Sequence, residues 1–269
     1  MTAKPAAIED PRFPFGENWA RYLDCIDEGR IEQASAALLD LLGVADLTGK
    51  SFLDIGSGSG LSALAARRAG ARVVAFDDDP QSVACTAELK CRYFPGDASW
   101  SVAKGSALDD AYMRRLGAFD VVYSWGVLHH TGALWRAVEN AMIPVAIGGL
   151  LVLALYNDQG LISRYWRAVK RLYNRHPAFR VALIALHAPY LIGGRLLFRA
   201  IARKGPLPRG MALWTDMCDW LGGWPFETAT PDEVAAFCGA RGFSLIRANT
   251  VGRRHGCNEF VFRRTALGA

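Results

Sequence analysis

Cysteine is sparse and poorly placed for chemistry of its own. The six cysteines (Cys25, Cys85, Cys91, Cys218, Cys238 and Cys257) form no CxxC pair and no zinc spacing. That excludes a zinc ribbon and a dithiol redox site, and the thiols read as reduced packing residues of a cytosolic protein. The opening MTAKPAAIEDPRF contains no apolar run, so a secretory signal is not expected and a cytoplasmic location is. The most apolar stretch, 181–198, is interrupted by His187, Pro189 and Arg195, which argues against a transmembrane helix. No repeat or low-complexity tract is present. Acid is missing altogether from residues 159–215, a span that holds eleven Lys and Arg.

What is there suits one large α/β domain, or one domain with an insertion. The chain has 269 residues, of which 51% are hydrophobic, enough for a sizeable core. The formal net charge of +5 permits an anionic partner without requiring one.

The chain is organised around residues 51–60, SFLDIGSGSG. Phe52, Leu53 and Ile55 read as a short buried parallel strand. Glycine at 56, 58 and 60 breaks it, and LSALAARRAG resumes an apolar pattern at helical spacing. A strand, glycine turn and helix in that order bring backbone close to a ligand and aim free N–H groups at it. A dinucleotide fingerprint needs glycine at the first, third and sixth places, and here the sixth place is Leu61. Asp54, just before the first glycine, would repel a pyrophosphate but suits the cationic amino-acid tail of S-adenosylmethionine. Asp54 is therefore a candidate ligand contact, beside a turn whose backbone at Gly56, Ser57, Gly58 and Gly60 is open to a close approach. A nicotinamide enzyme and a turn without a ligand remain as alternatives.

Upstream, FPFGENW (13–19) precedes a helix expected over 19–42, with Leu23, Ile26, Ala34, Leu38, Leu41 and Leu42 on its apolar side and Gly43 as its stop. Trp19 is a candidate lid residue over the cofactor; packing is the competing role of these aromatics. Downstream, RVVAF (72–76) is a second strand ending at Asp77, where a carboxylate can accept hydrogen bonds from a ribose. Asp78 is a further candidate, although Asp78 and Asp79 equally suit helix capping. Residues 101–109 read as strand three and its exit loop, which holds Ser106 and Ala107; the serine can hydrogen-bond an amino group.

FDVVYSWGVLHHTG (119–132) reads as strand four, with Ser124 and Trp125 at its carboxyl end. His129 and His130 are expected to start the next helix beside that crevice. One of them is the candidate acid–base or positioning residue. No third ligand stands near enough for a metal, and none is expected. Strand five is expected over 148–155, ending at the candidate substrate residues Tyr156 and Asn157. Residues 159–215 read as two or three helices broken near Pro177 and Pro189. This basic insertion caps the pocket on one reading and touches a membrane surface on another; no nucleic-acid reader motif accompanies its charge. Trp214 and Trp224 suit a substrate-pocket wall, and Asp216 is a second candidate base. Thr230-Pro231-Asp232-Glu233 forms a capping box, and 243–246 and 259–263 read as a closing antiparallel hairpin.

The glycine turn, Asp77, the 105–109 loop and the 119–132 segment together resemble the class I (Rossmann-like) S-adenosylmethionine-dependent methyltransferases, in particular the small-molecule branch where strand four runs into Leu-His-His. The resemblance is specific over residues 50–156 and follows pattern alone over 230–264. It implies a doubly wound, mostly parallel seven-stranded sheet with a reversed last strand. It also implies backbone contacts from Gly56, Ser57 and Gly58 to the methionine part of the cofactor, Asp77 on its ribose, and an adenine edge read in the loop where this chain offers Ser106 and Ala107. FGENW, YNDQG and WPFE are similar to stretches of bacterial methyltransferases without an assigned acceptor. The expected layout is an N-terminal helical lid (1–48), a core (49–158 and 228–269) and a basic helical cap (159–227). The expected function is methyl transfer to oxygen or sulfur of a small-molecule acceptor, with a hydrophobic or lipid-like acceptor among the options. A non-catalytic cofactor-binding module is the competing class.

Overall fold

A computed structural model describes residues 13–194, 213–252, 254 and 256–265. The expected tail (1–12) and the basic residues from Arg195 to Arg209 lie outside the described residues. Seven strands form one sheet in the order β3-β2-β1-β4-β5-β7-β6. They are β1 (Ser51–Ile55), β2 (Arg72–Asp77), β3 (Trp100–Lys104), β4 (Phe119–Trp125), β5 (Val145–Tyr156), β6 (Phe243–Asn249) and β7 (Cys257–Arg264). The pairs from β3 across to β5 are parallel, whereas β7 runs antiparallel to both β5 and β6. The reversed last strand is as expected. The order changes direction at β1, so the carboxyl ends of β1 and β4 meet at the switch point where open α/β sheets bind ligands.

Residues alternate between two buried faces. Phe52, Val73, Ala75, Val121, Tyr123, Val152 and Val261 pack against α2 (Glu28–Leu42) and α3 (Leu61–Arg68). Leu53, Ile55, Phe76, Val122, Leu151, Leu153, Phe260 and Phe262 face the other way. That face is covered by α5 (Asp110–Arg115), α6 (Leu134–Met142) and the capping-box helix α10 (Pro231–Gly239), while α4 (Pro80–Tyr93) links β2 to β3. Central strands buried on both sides need apolar residues at successive positions, which explains their continuous apolar runs.

The structure corrects three expected boundaries. The single helix over 19–42 is two helices, α1 (Phe15–Leu23) and α2. Asp27 divides them: its backbone is extended and its side chain accepts from Arg30 N–H at 2.8 Å as the N-cap of α2. Gly43 does end α2, in a left-handed conformation (φ 68°). His129 and His130 do not start a helix; they lie in a short 3₁₀ turn, Leu128–His130, ahead of α6. Strand five is longer than expected at both ends.

Beyond β5 the chain forms α7 (Leu161–Arg175) and α8 (Pro177–Ala188), divided where the His176 side chain caps α8 by accepting from Ala178 N–H, then a π turn at Pro189–Gly193. The helix α9 (Leu213–Gly222) follows. Phe13, Tyr156, Trp166, Val169, Tyr173, Leu183, Met217, Leu221 and Phe226 join these helices to α1 and the end of β5 in a third apolar cluster. No helix among the described residues is long and apolar enough to cross a membrane.

Candidate active site

The turn after β1 is shaped by glycine. Gly56, Gly58 and Gly60 all have positive φ (73°, 54° and 82°), where a side chain is strained. Each bare Cα face is also packed. A Cβ on Gly56 would lie 2.3 Å from Val127 Cγ1, one on Gly58 would lie 2.9 Å from Trp19 Nε1, and one on Gly60 would lie 2.9 Å from Thr86 Cα. The turn is thus the meeting place of three segments: the loop after β4, α1 and α4. Ser57 is held in it by a 2.9 Å hydrogen bond between Ser57 Oγ and Thr86 Oγ1.

Two carboxylates stand beside this turn. Asp77 Oδ2 accepts from Gly58 N–H at 3.0 Å, and Oδ1 accepts from Asp79 N–H at 3.0 Å. Asp54 is buried, and its Oδ2 has no hydrogen-bond partner among the described residues. Burial, and then the charge of Asp77, lifts the Asp54 carboxyl to about 7. Burial likewise lifts Asp77 to about 6, against the opposing backbone hydrogen bonds. Such perturbed acids in a switch-point crevice make it a candidate functional site.

The helix α1 closes over the same place. Gly16 N–H donates to Asp79 Oδ2 at 2.8 Å, and Asp79 also caps α4 by accepting from Gln81 N–H. Gly16 has to be glycine for this approach, because a Cβ there would meet Gln81 Cβ at 2.4 Å. One turn further on, the Trp19 indole covers Gly58. At the start of α1, the Phe15 ring lies 4.8 Å from the His130 ring.

The histidine pair is fully enclosed, His129 at 0% and His130 at 8% exposure. Tyr156 stacks on His129 at 3.9 Å between ring centroids, and its N–H donates to His129 Nδ1 at 3.3 Å. His130 Nδ1 lies 2.6 Å from the carbonyl oxygen of Pro225. Burial holds both imidazoles neutral. It drives His129 well below the usual range, and with help from Lys170 takes His130 down to about 3. Trp220 and Phe226 complete the enclosure, each with its ring centroid 5.2 Å from that of Tyr156.

The other expected residues are placed less centrally. Ser124 donates from Oγ to the carbonyl of Ile55, a bond inside the sheet, and Trp125 Nε1 donates to Glu259 on β7. Ser106 accepts from Leu108 N–H within its own loop, and Ala107 is buried with its carbonyl bound by Asn140. Asp78 is exposed. Asn157 is drawn away from Tyr156 to hold the β6–β7 connection through Gly252 and Asn258. Trp214 lies on α9 and is 55% exposed. Trp224 is half-buried at the edge of the third cluster. Asp216 lies on α9, and its side chain is outside the described residues.

Sequence reasoning missed Thr86 and Lys170. Nothing in α4 singles out Thr86. Lys170 had a signal, since it falls in the apolar stripe of α7 with Trp166, Val169 and Tyr173. It is fully buried, with Nζ donating to the Trp220 carbonyl and lying 4.7, 4.8 and 5.3 Å from the Trp220, Phe226 and Tyr156 ring centroids. No cluster of His, Cys, Asp and Glu able to hold a metal occurs among the described residues.

Residues 53–153 match the family model described as Methyltransferase domain. The chain is 37% identical over 121 residues to the tRNA U34 carboxymethyltransferase of Methylococcus capsulatus, a match covering 45% of this chain and 36% of that protein. It is 33% identical over 114 residues to the Klebsiella pneumoniae protein of the same name, covering 41% and 32%. The chain thus matches about a third of the length of these curated relatives. In three dimensions it resembles the magnesium protoporphyrin IX methyltransferase of Synechocystis with bound S-adenosylhomocysteine. The TM-score is 0.56 at 15% identity, over 92% of this chain and 93% of that one. An O-methyltransferase family protein from Burkholderia thailandensis gives a TM-score of 0.58 at 12% identity, over 94% and 64%. These likenesses establish the fold.

The acidic pair sets a pH dependence. Between the ordinary aspartate value of 3.8 and about 7, the native form holds more protons on Asp54 and Asp77 than the unfolded chain does. These two groups therefore lower the unfolding free energy as pH rises through that window. Asp54→Asn is expected to flatten the fall and to raise the melting temperature most near its upper end. Thermal melts at stepped pH check this, and a variant with the same or a steeper fall would contradict it.

Proposed function

We propose that the chain is a class I S-adenosylmethionine-dependent methyltransferase and that it carries a methyl group from that cofactor to oxygen or sulfur of a small-molecule acceptor. The observation that carries the reading is the junction of two sites beneath one helix. The acidic glycine turn and the buried histidine pair both lie under α1, through Trp19 on Gly58 and Phe15 on His130.

The residues fit the cofactor. The unpartnered Asp54 Oδ2 and the carboxylate of Asp77 face a need that a cationic ligand meets, and the bare glycine backbone admits its close approach. In this reading Gly56, Ser57, Gly58 and Gly60 cradle the amino-acid part, Asp77 takes the ribose, and Ser106 and Ala107 border the base. Bound there, the cofactor supplies a methyl group already activated on a sulfonium. The chain's own part is alignment and exclusion of water. Tyr156, Trp220 and Phe226 wall the acceptor side, and one of the histidines handles a proton where the acceptor has one to lose.

The names of the curated relatives raise tRNA as a competing acceptor. Enclosure argues against it, because a base held in a polymer would have to reach histidines at 0% and 8% exposure. Calorimetric titration is expected to show binding of S-adenosylhomocysteine and not of NAD or NADP. Asp77→Ala is expected to weaken that binding by ~1–3 kcal/mol, the scale for hydrogen bonds to a charged group. Binding of a nicotinamide cofactor alone would overturn the reading. Release of S-adenosylhomocysteine with tRNA, and with no member of a panel of phenols, hydroxylated lipids, sugars and thiols, would overturn the small-molecule acceptor.

A second reading concerns where the enzyme works. On α7, α8 and the turn after them, Leu161, Val181, Leu186 and Tyr190 are 76%, 69%, 68% and 60% exposed. Arg164, Arg167, Arg171 and Arg175 are exposed beside them, in a span without an acid. Exposed aliphatic residues among arginines fit an anionic lipid surface better than RNA, which offers little for Leu and Val to bury into. Sedimentation with phosphatidylserine-containing vesicles is expected at low salt and is expected to weaken as salt screens the charge. No sedimentation at low salt would leave the cap as a roof over a soluble acceptor.

A further inference from the structure

His129 and His130 stand with ring centroids 4.4 Å apart, yet their hydrogen bonds give them opposite polarity. At His129, Nδ1 receives the peptide N–H of Tyr156. A peptide N–H cannot accept, so Nδ1 is bare and the proton of the neutral ring sits on Nε2. At His130, Nδ1 faces the carbonyl oxygen of Pro225. A carbonyl cannot donate, so Nδ1 carries the proton and Nε2 is bare. Both Nε2 atoms are buried without a hydrogen-bond partner among the described residues. Buried polar atoms left this way are costly and uncommon. Here one orphan is a donor and its neighbour an acceptor.

We propose that this pair recognises a neutral hydroxyl, which accepts a hydrogen bond from His129 Nε2–H and donates its own proton to His130 Nε2. The proposal rests on the methyl-transfer reading and names its acceptor group. An oxygen has two lone pairs, one to accept from His129 and one to attack. A neutral amine has a single lone pair and cannot do both. An ammonium has none, and a thiolate has no proton for His130. During transfer the oxygen lone pair bonds to the methyl carbon and the methyl–sulfur bond breaks, its electrons staying on sulfur. The hydroxyl proton passes to His130 Nε2, which returns it to solvent on opening. His130 is thus the base and His129 the donor that positions the oxygen.

The burial that makes His130 a weak base is tolerable for this chemistry. A hydroxyl oxygen that is being methylated while still holding its proton is a far stronger acid than an imidazolium, so a late proton transfer to a weak base runs downhill. The same weakness keeps the ring unprotonated and ready to accept at every ordinary pH. Phe15 packs on the His130 ring from the start of α1.

The test reads the nitrogens directly. Long-range ¹H–¹⁵N correlation on the full ¹⁵N-labelled chain resolves the two tautomers, with the rings assigned through the contacts of His129 with Tyr156 and of His130 with Phe15. Near neutral pH, His129 is expected to be protonated at Nε2 and His130 at Nδ1; the same tautomer in both rings would overturn the proposal. In the presence of S-adenosylhomocysteine, added phenol is expected to shift both Nε2 resonances. Anisole, which accepts but cannot donate, is expected to shift that of His129 alone. Phenol that moves neither, or anisole that moves His130 Nε2, would overturn the proposal. Calorimetry with S-adenosylhomocysteine on the same sample separates the two readings. Failure to bind, with the tautomers as assigned, overturns methyl transfer and not the polarity of the pair.

Discussion

The constraint on which the rest depends is that the chain leaves β1 through three glycines that can be nothing else. Their backbone angles exclude a side chain, and so does their packing: Val127, Trp19 and Thr86 each occupy the space a Cβ would need. The loop after β4, the helix α1 and the helix α4 are therefore located by contact with the turn itself. A substitution at any of the three glycines displaces an entire segment as well as straining a dihedral angle. The crevice beside the glycine turn and the histidine turn are linked in the same way, since Val127 sits on Gly56 and directly precedes Leu128–His130.

Burial without full compensation is the second theme. Asp54 keeps one carboxylate oxygen without a partner, and each histidine keeps one bare or protonated Nε2 in the same condition. A fold pays for such atoms in stability and retains them where a ligand supplies the missing partner. The acids lie on the side of β1 and β2 and favour a cation. The histidines lie after β4, beneath the aromatic wall of the cap, and match a neutral group. In the proposed reading, cofactor and acceptor thus divide along the strand order.

Much of this was legible in the sequence. The glycine turn, Asp77, the sheet and its reversed last strand follow from apolar runs and glycine spacing, because the core strands are buried on both faces and admit little else. The helices that follow β5, broken at Pro177 and Pro189, were also expected from the positions of those prolines. What could not be read was whatever depends on a distant partner. The break between α1 and α2 turns on whether Asp27 caps a helix or rides within one, and its neighbours Glu28 and Arg30 suit either. The histidines read as the start of a helix because nothing local shows that Tyr156 and Pro225 will claim their Nδ1 atoms. Trp214 read as a pocket wall by composition, but which side of α9 faces inward is set by α7 and α1. Lys170 was visible as a lysine in an apolar stripe, a pattern whose meaning appears only when three aromatic rings close around it.

The central claim is that α1 closes over a cofactor held in the glycine turn and so joins the two halves of the site. Hydrogen exchange with and without S-adenosylhomocysteine tests it most directly. The account predicts that amides of Phe15–Leu23 gain protection together with those of residues 56–60, because Trp19 and Gly16 tie the helix to the turn and to Asp79. Protection confined to residues 56–60, with α1 exchanging as before, would contradict it.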